Sequence, residues 1–139
     1  MSDNSLVVYK GVAHPELCDV MNHMTTRHYV AMFDDASYHF LYTVFGWSGE
    51  QAKSENIGWA DVKHVIEYQD EVAAGDLLEV RASFIKVGTK SITVNYTMVN
   101  VAKKTVAATL ASTSVYFDTL NRKAIALTDE MKTAAQPYL

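Results

Sequence analysis

Hydrophobic residues recur at steps of three and four between Thr26 and Phe45, which is the spacing of one face of an α-helix. A second apolar stripe follows another side of this segment, so we expect the helix to be buried on more than one side. A helix of this length would measure roughly 30 Å, enough to cross a small domain. The first face comprises Tyr29, Met32, Phe33, Ala36, Phe40 and Val44, and the second comprises Ala31, Tyr38, Tyr42 and Phe45.

The ends of the predicted helix carry suitable residues. Thr25 or Thr26 can cap its start, and Gly46 suits its end. Two shorter helices are predicted elsewhere, one capped by Ser48 and reaching Glu55, and one near the C-terminus capped by Thr128. The long helix is therefore the main helical element of the chain.

Alternating apolar and polar residues predict a strand before the long helix and four strands after it. The later strands are joined by tight turns, which favour antiparallel pairing. In the second strand we expect Val62, His64, Ile66 and Tyr68 to share one face. The predicted strands are Leu6–Val12, Ile57–Tyr68, Leu77–Val87, Ser91–Val101 and Thr105–Asp118. The order of elements predicts an α+β fold in one domain, residues 1–139, with an antiparallel sheet curled around one helix.

Composition narrows the class of function. The chain has 139 residues, of which 49% are hydrophobic and 20% charged, and a net charge of −4 without a basic cluster. We therefore expect no nucleic-acid partner, and since the longest apolar run is far short of a membrane span, no membrane partner. The polar N-terminal residues do not resemble a signal peptide, and a single cysteine, Cys18, cannot form an internal disulfide. These features predict a cytoplasmic protein.

The polar loop Cys18–Met24 leads into the N-terminus of the long helix and contains Asp19. A helix N-terminus offers unpaired backbone N–H groups and partial positive charge, which suit a developing oxyanion. A carboxylate beside it could act as a general base or as a nucleophile. On the pattern alone, Asp19 could equally hold a turn, and the domain could be an enzyme, a binding module or an assembly unit.

Four short motifs follow one another in the order and spacing of a known family. Together the motifs resemble hotdog-fold acyl-CoA thioesterases of the 4-hydroxybenzoyl-CoA thioesterase-like family. The motifs are Cys18–Met24 with Tyr29 and Met32–Ala36, then Tyr68–Asp76, then Gly88–Ser91, then Val115–Asp118.

The resemblance implies a five-stranded antiparallel sheet wrapped around one central helix. It also implies hydrolysis of an acyl-CoA, or of an acyl-carrier thioester, to the free acid and CoA. Asp19 matches the family's catalytic aspartate, and the backbone N–H near Thr26 matches its oxyanion donor. His23 would orient Asp19 or line the pocket. Members of the fold pair their sheets, so a homodimer or homotetramer is expected, and an exposed edge strand is a physical reason for such pairing.

The resemblance also places the CoA phosphates beside the turn between the third and fourth strands. Arg81, Lys86, Lys90 and Ser91 flank that turn and would bind them. CoA would enter as part of the substrate, so no separate cofactor is expected. The histidines near the loop lack a metal-site spacing, so no metal is expected either.

Two departures from the family pattern affect these expectations. Asn22 replaces the usual glycine, and Thr25-Thr26 replaces the usual pair of asparagines. Asn tolerates left-handed backbone angles better than most residues, so the turn can survive at Asn22. Either change could alter the substrate or weaken activity.

Several alternatives remain open at this stage. The chain could be a hotdog hydratase or dehydratase, or a non-catalytic acyl-CoA-binding protein. Another branch of the fold places its catalytic carboxylate on the central helix, where Asp34 would serve; otherwise Asp34 or Asp35 is solvated or paired with Arg or Lys. His64 is interpreted as a core or interface histidine with a satisfied hydrogen bond.

Overall fold

A computed structural model describes residues 4–139 of the chain. The long helix, α1, and the first five strands lie where the sequence predicts them, apart from one residue at the end of β4. Two short 3₁₀ helices cover Pro15–Leu17 and Gln136–Tyr138. The other elements are β1 (Leu6–Val12), α1 (Thr26–Phe45), α2 (Gly49–Glu55), β2 (Ile57–Tyr68), β3 (Leu77–Val87), β4 (Ser91–Asn100), β5 (Thr105–Asp118), β6 (Lys123–Ala124) and α3 (Asp129–Ala135).

The strands form one antiparallel sheet in the order β1-β3-β4-β5-β2, with the two-residue β6 added beside β5. Neighbouring strands in the middle of the sheet are joined by short turns, whereas both edge strands pair with partners far along the chain. The sheet curls around α1, so the predicted α+β hotdog architecture is confirmed.

The core lies between α1 and the concave face of the sheet. Phe40 is fully buried, and its ring contacts the rings of Phe84, Tyr96 and Tyr138 at centroid distances of 5.0, 6.2 and 6.1 Å. Aromatic pairs at these separations stabilise a core beyond the area that they bury. The small residues Ala107 and Ala108 of β5 are also fully buried, while β1 and β3 are the strands that lie closest to α1. Among residues 4–139, no helix is long and apolar enough to cross a membrane.

The second apolar stripe of α1 is not buried as expected. Tyr38 and Tyr42 are 55% and 61% exposed, while Phe45 alone packs into the core. The chain's own sheet covers only one side of the helix, which leaves this stripe open.

Three of the four residues predicted to start or end a helix act as expected. Gly46 ends α1 in the left-handed conformation with φ of 71°, and the hydroxyls of Ser48 and Thr128 accept backbone N–H groups at the starts of α2 and α3. The prediction for the start of α1 was wrong. Thr25 occupies the N-cap position, but its hydroxyl donates to the Leu17 carbonyl at 2.8 Å and accepts no helical N–H.

A bulge in β2 changes the predicted faces of that strand. The pairing with β5 shifts between Asp61 and Lys63, so Val62 is an extra residue and is 61% exposed. Asp61 and His64 consequently lie on the same side, and both line a cavity beside α1. The interpretation of His64 as a core histidine was wrong, because its side chain is 36% exposed and its nearest charged partner among the described residues is Asp61, at 3.8 Å. Its place at an interface stays a prediction.

Candidate active site

The loop before α1 folds into a small hairpin. Cys18 and Met24 form an isolated antiparallel bridge, the Asp19 N–H donates to the His23 carbonyl, and the Asn22 N–H donates back to the Asp19 carbonyl. Asn22 has a φ of 61°, so the left-handed turn survives where the family has glycine. The hairpin thus presents Asp19 and His23 from a turn closed by its own backbone.

The segment before β3 holds this hairpin in place. The Met24 N–H donates to the Val72 carbonyl at 2.7 Å, and His23 pairs with Ala73. The side chain of Asp76 in turn accepts hydrogen bonds from the Ala73 N–H and from the buried Asn100 amide. The loop is therefore fixed by contacts with residues about fifty positions further along the chain.

Asp19 has two different carboxylate oxygens. Its Oδ1 accepts the backbone N–H groups of Met21 at 2.9 Å and His23 at 3.3 Å, which is the turn-holding role considered from the sequence. Its Oδ2 has no hydrogen-bond partner within residues 4–139. One oxygen therefore orients the side chain and leaves the other free for chemistry.

A cavity of about 290 Å³ opens beside the hairpin and the start of α1. His23 lines this cavity, and its Nε2 lies 3.2 Å from the carboxylate of Glu71. The imidazole therefore faces Glu71, while the backbone N–H of His23 donates to the Asp19 carboxylate. Asp19 itself does not line this cavity. The lining residues are His23, Met24, Thr26, Tyr29, Tyr68, Gln69, Asp70 and Glu71.

Tyr29 and Tyr68 form the apolar part of this cavity, with their rings edge to face at 5.1 Å. Tyr29 is 4% exposed. Its burial raises the pKa of its phenol, and the nearby Tyr68, Asp70 and Asp76 raise it further. The phenol therefore stays neutral over the ordinary range of pH.

Thr26 is the first residue of α1 and also lines the cavity. Its backbone N–H has no acceptor among the described residues. No acidic side chain occupies the first turn of α1. The positive end of a helix of 20 residues therefore lies at the cavity, where the carboxylates of Asp70 and Glu71 are also part of the lining.

The residues predicted to bind CoA phosphates lie elsewhere in the chain. Lys86, Lys90 and Ser91 flank the β3–β4 turn, next to the C-terminal end of α1, whereas Thr26 is at the other end, about 30 Å away along the helix. Arg81 lies further back on β3 and pairs with Glu79 at 3.0 Å. One chain does not bring these four residues together with Asp19.

Asp34, the alternative catalytic carboxylate, lies midway along α1 in a second cluster of polar side chains. It lines a small cavity with Asp61, His64 and the buried phenol of Tyr96. Desolvation by burial raises the pKa of Asp34, and Asp61 and Asp35 raise it further, while His64 acts against them. Neither Asp34 nor Asp35 forms an ion pair with Arg or Lys within residues 4–139. In the same part of the chain, no three His, Cys, Asp or Glu side chains form a metal site.

Comparison with known proteins identifies the family. Residues 13–135 match the family described as the thioesterase-like superfamily, which is most of the chain. The chain belongs to the thioesterase-like superfamily. It is therefore a thioester hydrolase by family, and the resemblance noted in the sequence is confirmed. A search of curated proteins finds no match.

Solved structures share the fold of this superfamily member. A Staphylococcus aureus protein solved in complex with CoA has a TM-score of 0.87 and 19% identity over 96% of this chain and 84% of its own. A thioesterase superfamily protein from Jannaschia sp. CCS1 has a TM-score of 0.87 and 19% identity over 99% and 95%. The 1,4-dihydroxy-2-naphthoyl-CoA thioesterase of Synechocystis has a TM-score of 0.81 and 16% identity over 95% and 96%. At these identities the similarity shows the hotdog fold alone.

Sequence reasoning missed two groups that the fold places near the candidates. The first is Glu71, which faces His23. The Tyr68–Asp76 motif contains Glu71, but the motif did not indicate a role for this residue. Asp61 faces α1 only because of the bulge at Val62, which strict alternation does not reveal. Both required knowledge of tertiary contacts.

Proposed function

We propose that this thioesterase-family protein hydrolyses acyl-CoA, or an acyl-carrier thioester, to the free acid and the thiol. The observation that carries the proposal is the start of α1, where Thr26 lines the cavity and its backbone N–H has no acceptor among the described residues. Such a group stabilises negative charge that develops on a thioester carbonyl oxygen. The CoA complex of a structural neighbour supports CoA as the carrier.

Asp19 is the proposed catalytic carboxylate, acting through its free Oδ2. In one route it takes a proton from a water molecule as the water oxygen attacks the carbonyl carbon; the C–S bond then breaks, and the thiolate takes up a proton. In the other route Oδ2 attacks the carbon directly, the thiolate leaves, and water hydrolyses the resulting anhydride. His23, held by Glu71, lines the path beside Asp19.

We propose that two copies complete the site. In one chain Asp19 lies outside the cavity lining, and the phosphate-binding candidates Lys86, Lys90 and Ser91 lie near the far end of α1. The edge strand β2 supports pairing, because Val62, Val65 and Tyr68 on it are 61%, 46% and 48% exposed. A homodimer or homotetramer would bring a second set of candidates within reach of the acyl-CoA. Sedimentation equilibrium measures this state.

The test is thiol release from short, long and aromatic acyl-CoAs by the wild type and by Asp19→Asn. Asparagine keeps the Oδ1 acceptor for Met21 and His23, so the turn should stay folded. We expect turnover to fall at least ~100-fold, the usual scale for loss of a general base or more. The matched control is Glu16→Gln, an exposed acid in the 3₁₀ helix just before this loop, three residues from Asp19 and also outside the cavity lining.

The other outcomes assign the site differently. Unchanged turnover in Asp19→Asn would move the catalytic role to Asp34, which Asp34→Asn would then test. Tight binding of CoA esters without turnover would favour a non-catalytic binding protein, and addition or loss of water without thiol release would favour a hydratase. In ¹⁸O-labelled water, label in the Asp19 carboxylate would show the direct route, because it enters when water opens the anhydride at the carboxyl carbon of Asp19.

A further inference from the structure

A second, larger cavity lies near the C-terminal end of α1. It measures about 340 Å³ and shares no lining residue with the cavity at the start of the helix. Its walls come from the end of α1, from α2 and from α3, and its floor comes from β2 and β5. Nothing in the proposed thioesterase reaction uses it. The residues that matter for its chemistry are Phe45, Trp47, Trp59, Tyr116, Glu55 and Glu130.

The aromatic walls of this cavity are held rigidly. The rings of Phe45 and Trp59 are stacked at 5.6 Å with an interplanar angle of 21°, and Trp59 lies 4.9 Å from Tyr116. The Trp47 indole N–H donates to the Ile57 carbonyl at 2.9 Å. The cavity therefore has aromatic walls that are fixed by their own contacts.

Two polar groups in these walls lack partners. Tyr116 is only 7% exposed, yet its hydroxyl has no hydrogen-bond partner among residues 4–139. The indole N–H of Trp59 is also buried there without an acceptor. Burial, together with the nearby Glu55, raises the pKa of Tyr116, so the phenol keeps its proton and remains a donor. The indole N–H of Trp59 is thus a buried donor that is costly to leave unpaired. The Tyr116 hydroxyl is not among the fully buried unpaired atoms, so water or a ligand can reach it, and it is the donor available to a ligand.

The charge of the cavity is negative. Glu55 and Glu130 line it, and neither forms an ion pair within the described chain. No Lys, Arg or His lines it, and the whole chain carries a net charge of −4. Such a site disfavours fatty-acid carboxylates and CoA phosphates and attracts cations.

We propose that this cavity binds a small organic ammonium ion that also carries an oxygen acceptor, as amino alcohols do. The aromatic faces attract the alkylated cation through their quadrupoles, and the two glutamates supply the opposing charge. The Tyr116 hydroxyl donates to the oxygen of the ligand. The cavity lies at the opposite end of α1 from Asp19 and Thr26 and next to the β3–β4 turn, and the ligand proposed for it is not the thioester substrate.

The test uses choline as the probe on the full chain. The only two tryptophans of the protein, Trp47 and Trp59, both line the cavity, so intrinsic fluorescence reports its occupancy. We expect a saturable change with choline, and binding at least ~10-fold weaker for 3,3-dimethylbutan-1-ol, which has the same shape without the charge. Sodium chloride at equal ionic strength controls for salt. Calorimetry measures the same affinities independently of fluorescence.

Variants separate the contributions of charge and hydrogen bond. Glu55→Gln should weaken choline binding several-fold, whereas Glu50→Gln, on the same helix but outside the cavity lining, should not. Tyr116→Phe should weaken choline by ~3- to 10-fold while leaving tetramethylammonium, which lacks the oxygen, unchanged. Equal affinity for choline and its neutral isostere, or no saturable binding of choline by either method, would overturn the proposal.

Discussion

The carboxylate of Asp76 is expected to be the main support of the loop that carries Asp19. Its Oδ2 accepts the Ala73 N–H at 2.9 Å and the Asn100 side-chain amide at 3.0 Å, and Asn100 is only 1% exposed. Ala73 forms a β-bridge with His23 of the hairpin. Asp76 therefore supports the hairpin indirectly, through its hydrogen bond with Ala73. Asp76→Ala removes the acceptor for both donors at once.

The magnitude follows from what the alanine leaves behind. Water can reach the partly exposed Ala73 N–H, but the buried Asn100 amide stays unpaired, which costs about 1–3 kcal/mol. Loss of the bonds to a charged acceptor brings the expected destabilisation to about 2–4 kcal/mol. A domain of this kind has a free energy of unfolding of about 5–15 kcal/mol, so the loss should be plain in a urea titration followed by circular dichroism.

Three further variants make this prediction refutable. Asp70→Ala is the matched control, because Asp70 accepts a hydrogen bond from Thr105 in a side chain 37% exposed, and should cost under about 1 kcal/mol. Asn100→Ala and the double variant complete a cycle that should give a coupling energy of about 1–2 kcal/mol. The reasoning fails if Asp76→Ala costs no more than Asp70→Ala, or if the two losses simply add.

Three other changes test separate features. Asn22→Val should destabilise by about 1–2 kcal/mol in chemical denaturation, because φ is 61° there, while Asn22→Gly should be nearly neutral; equal losses would count against the strained turn. Burial raises the pKa of Asp34, and the nearby Asp61 and Asp35 raise it further. The folded protein therefore binds the proton of the Asp34 carboxyl group more tightly than the unfolded chain does. Stability should fall as the pH rises from the ordinary pKa of Asp through the raised pKa of Asp34. Asp34→Asn should therefore raise Tm by about 1–3 °C near neutral pH and by nothing in acid, and an equal gain at both would contradict this sign. Phe40→Ala should cost about 3–5 kcal/mol in urea, against under about 0.5 kcal/mol for Tyr42→Ala, which is 61% exposed; similar losses would mean that Phe40 is not central to the core.

Most of the fold could be predicted because its signals are local. The apolar period of α1 and the glycine at position 46 predicted the bounds of the helix, and alternation predicted those of β2 and β3. The bulge at Val62 was missed because one extra residue leaves no mark on the composition of a strand. The cap at Thr25 was wrong because the Leu17 carbonyl, eight residues away, competes for the hydroxyl.

The candidate site was less accessible from sequence. Asp19, His23 and Thr26 were selected by their resemblance to a family motif, and their catalytic roles stay predictions. The pairing of His23 with Glu71 depends on a bridge between the loop and residue 73, which no local pattern encodes. The cavity at the end of α1 is formed by five elements that lie up to 86 positions apart, from Phe45 to Met131.

The strand order also has a consequence for how the chain acquires its structure. β1 pairs with β3 through Leu6 and Ala82, and β2 pairs with β5 through Ile57 and Asp118, so neither edge of the sheet can close until distant segments meet. A topology with so many non-local contacts folds slowly, on the scale of milliseconds to seconds. During synthesis, β1, α1 and β2 emerge before β3, β4 and β5, so most of the apolar face of α1 is open to solvent until those strands follow. The nascent N-terminal half is therefore the stage at which this protein is most prone to aggregate and most in need of a chaperone.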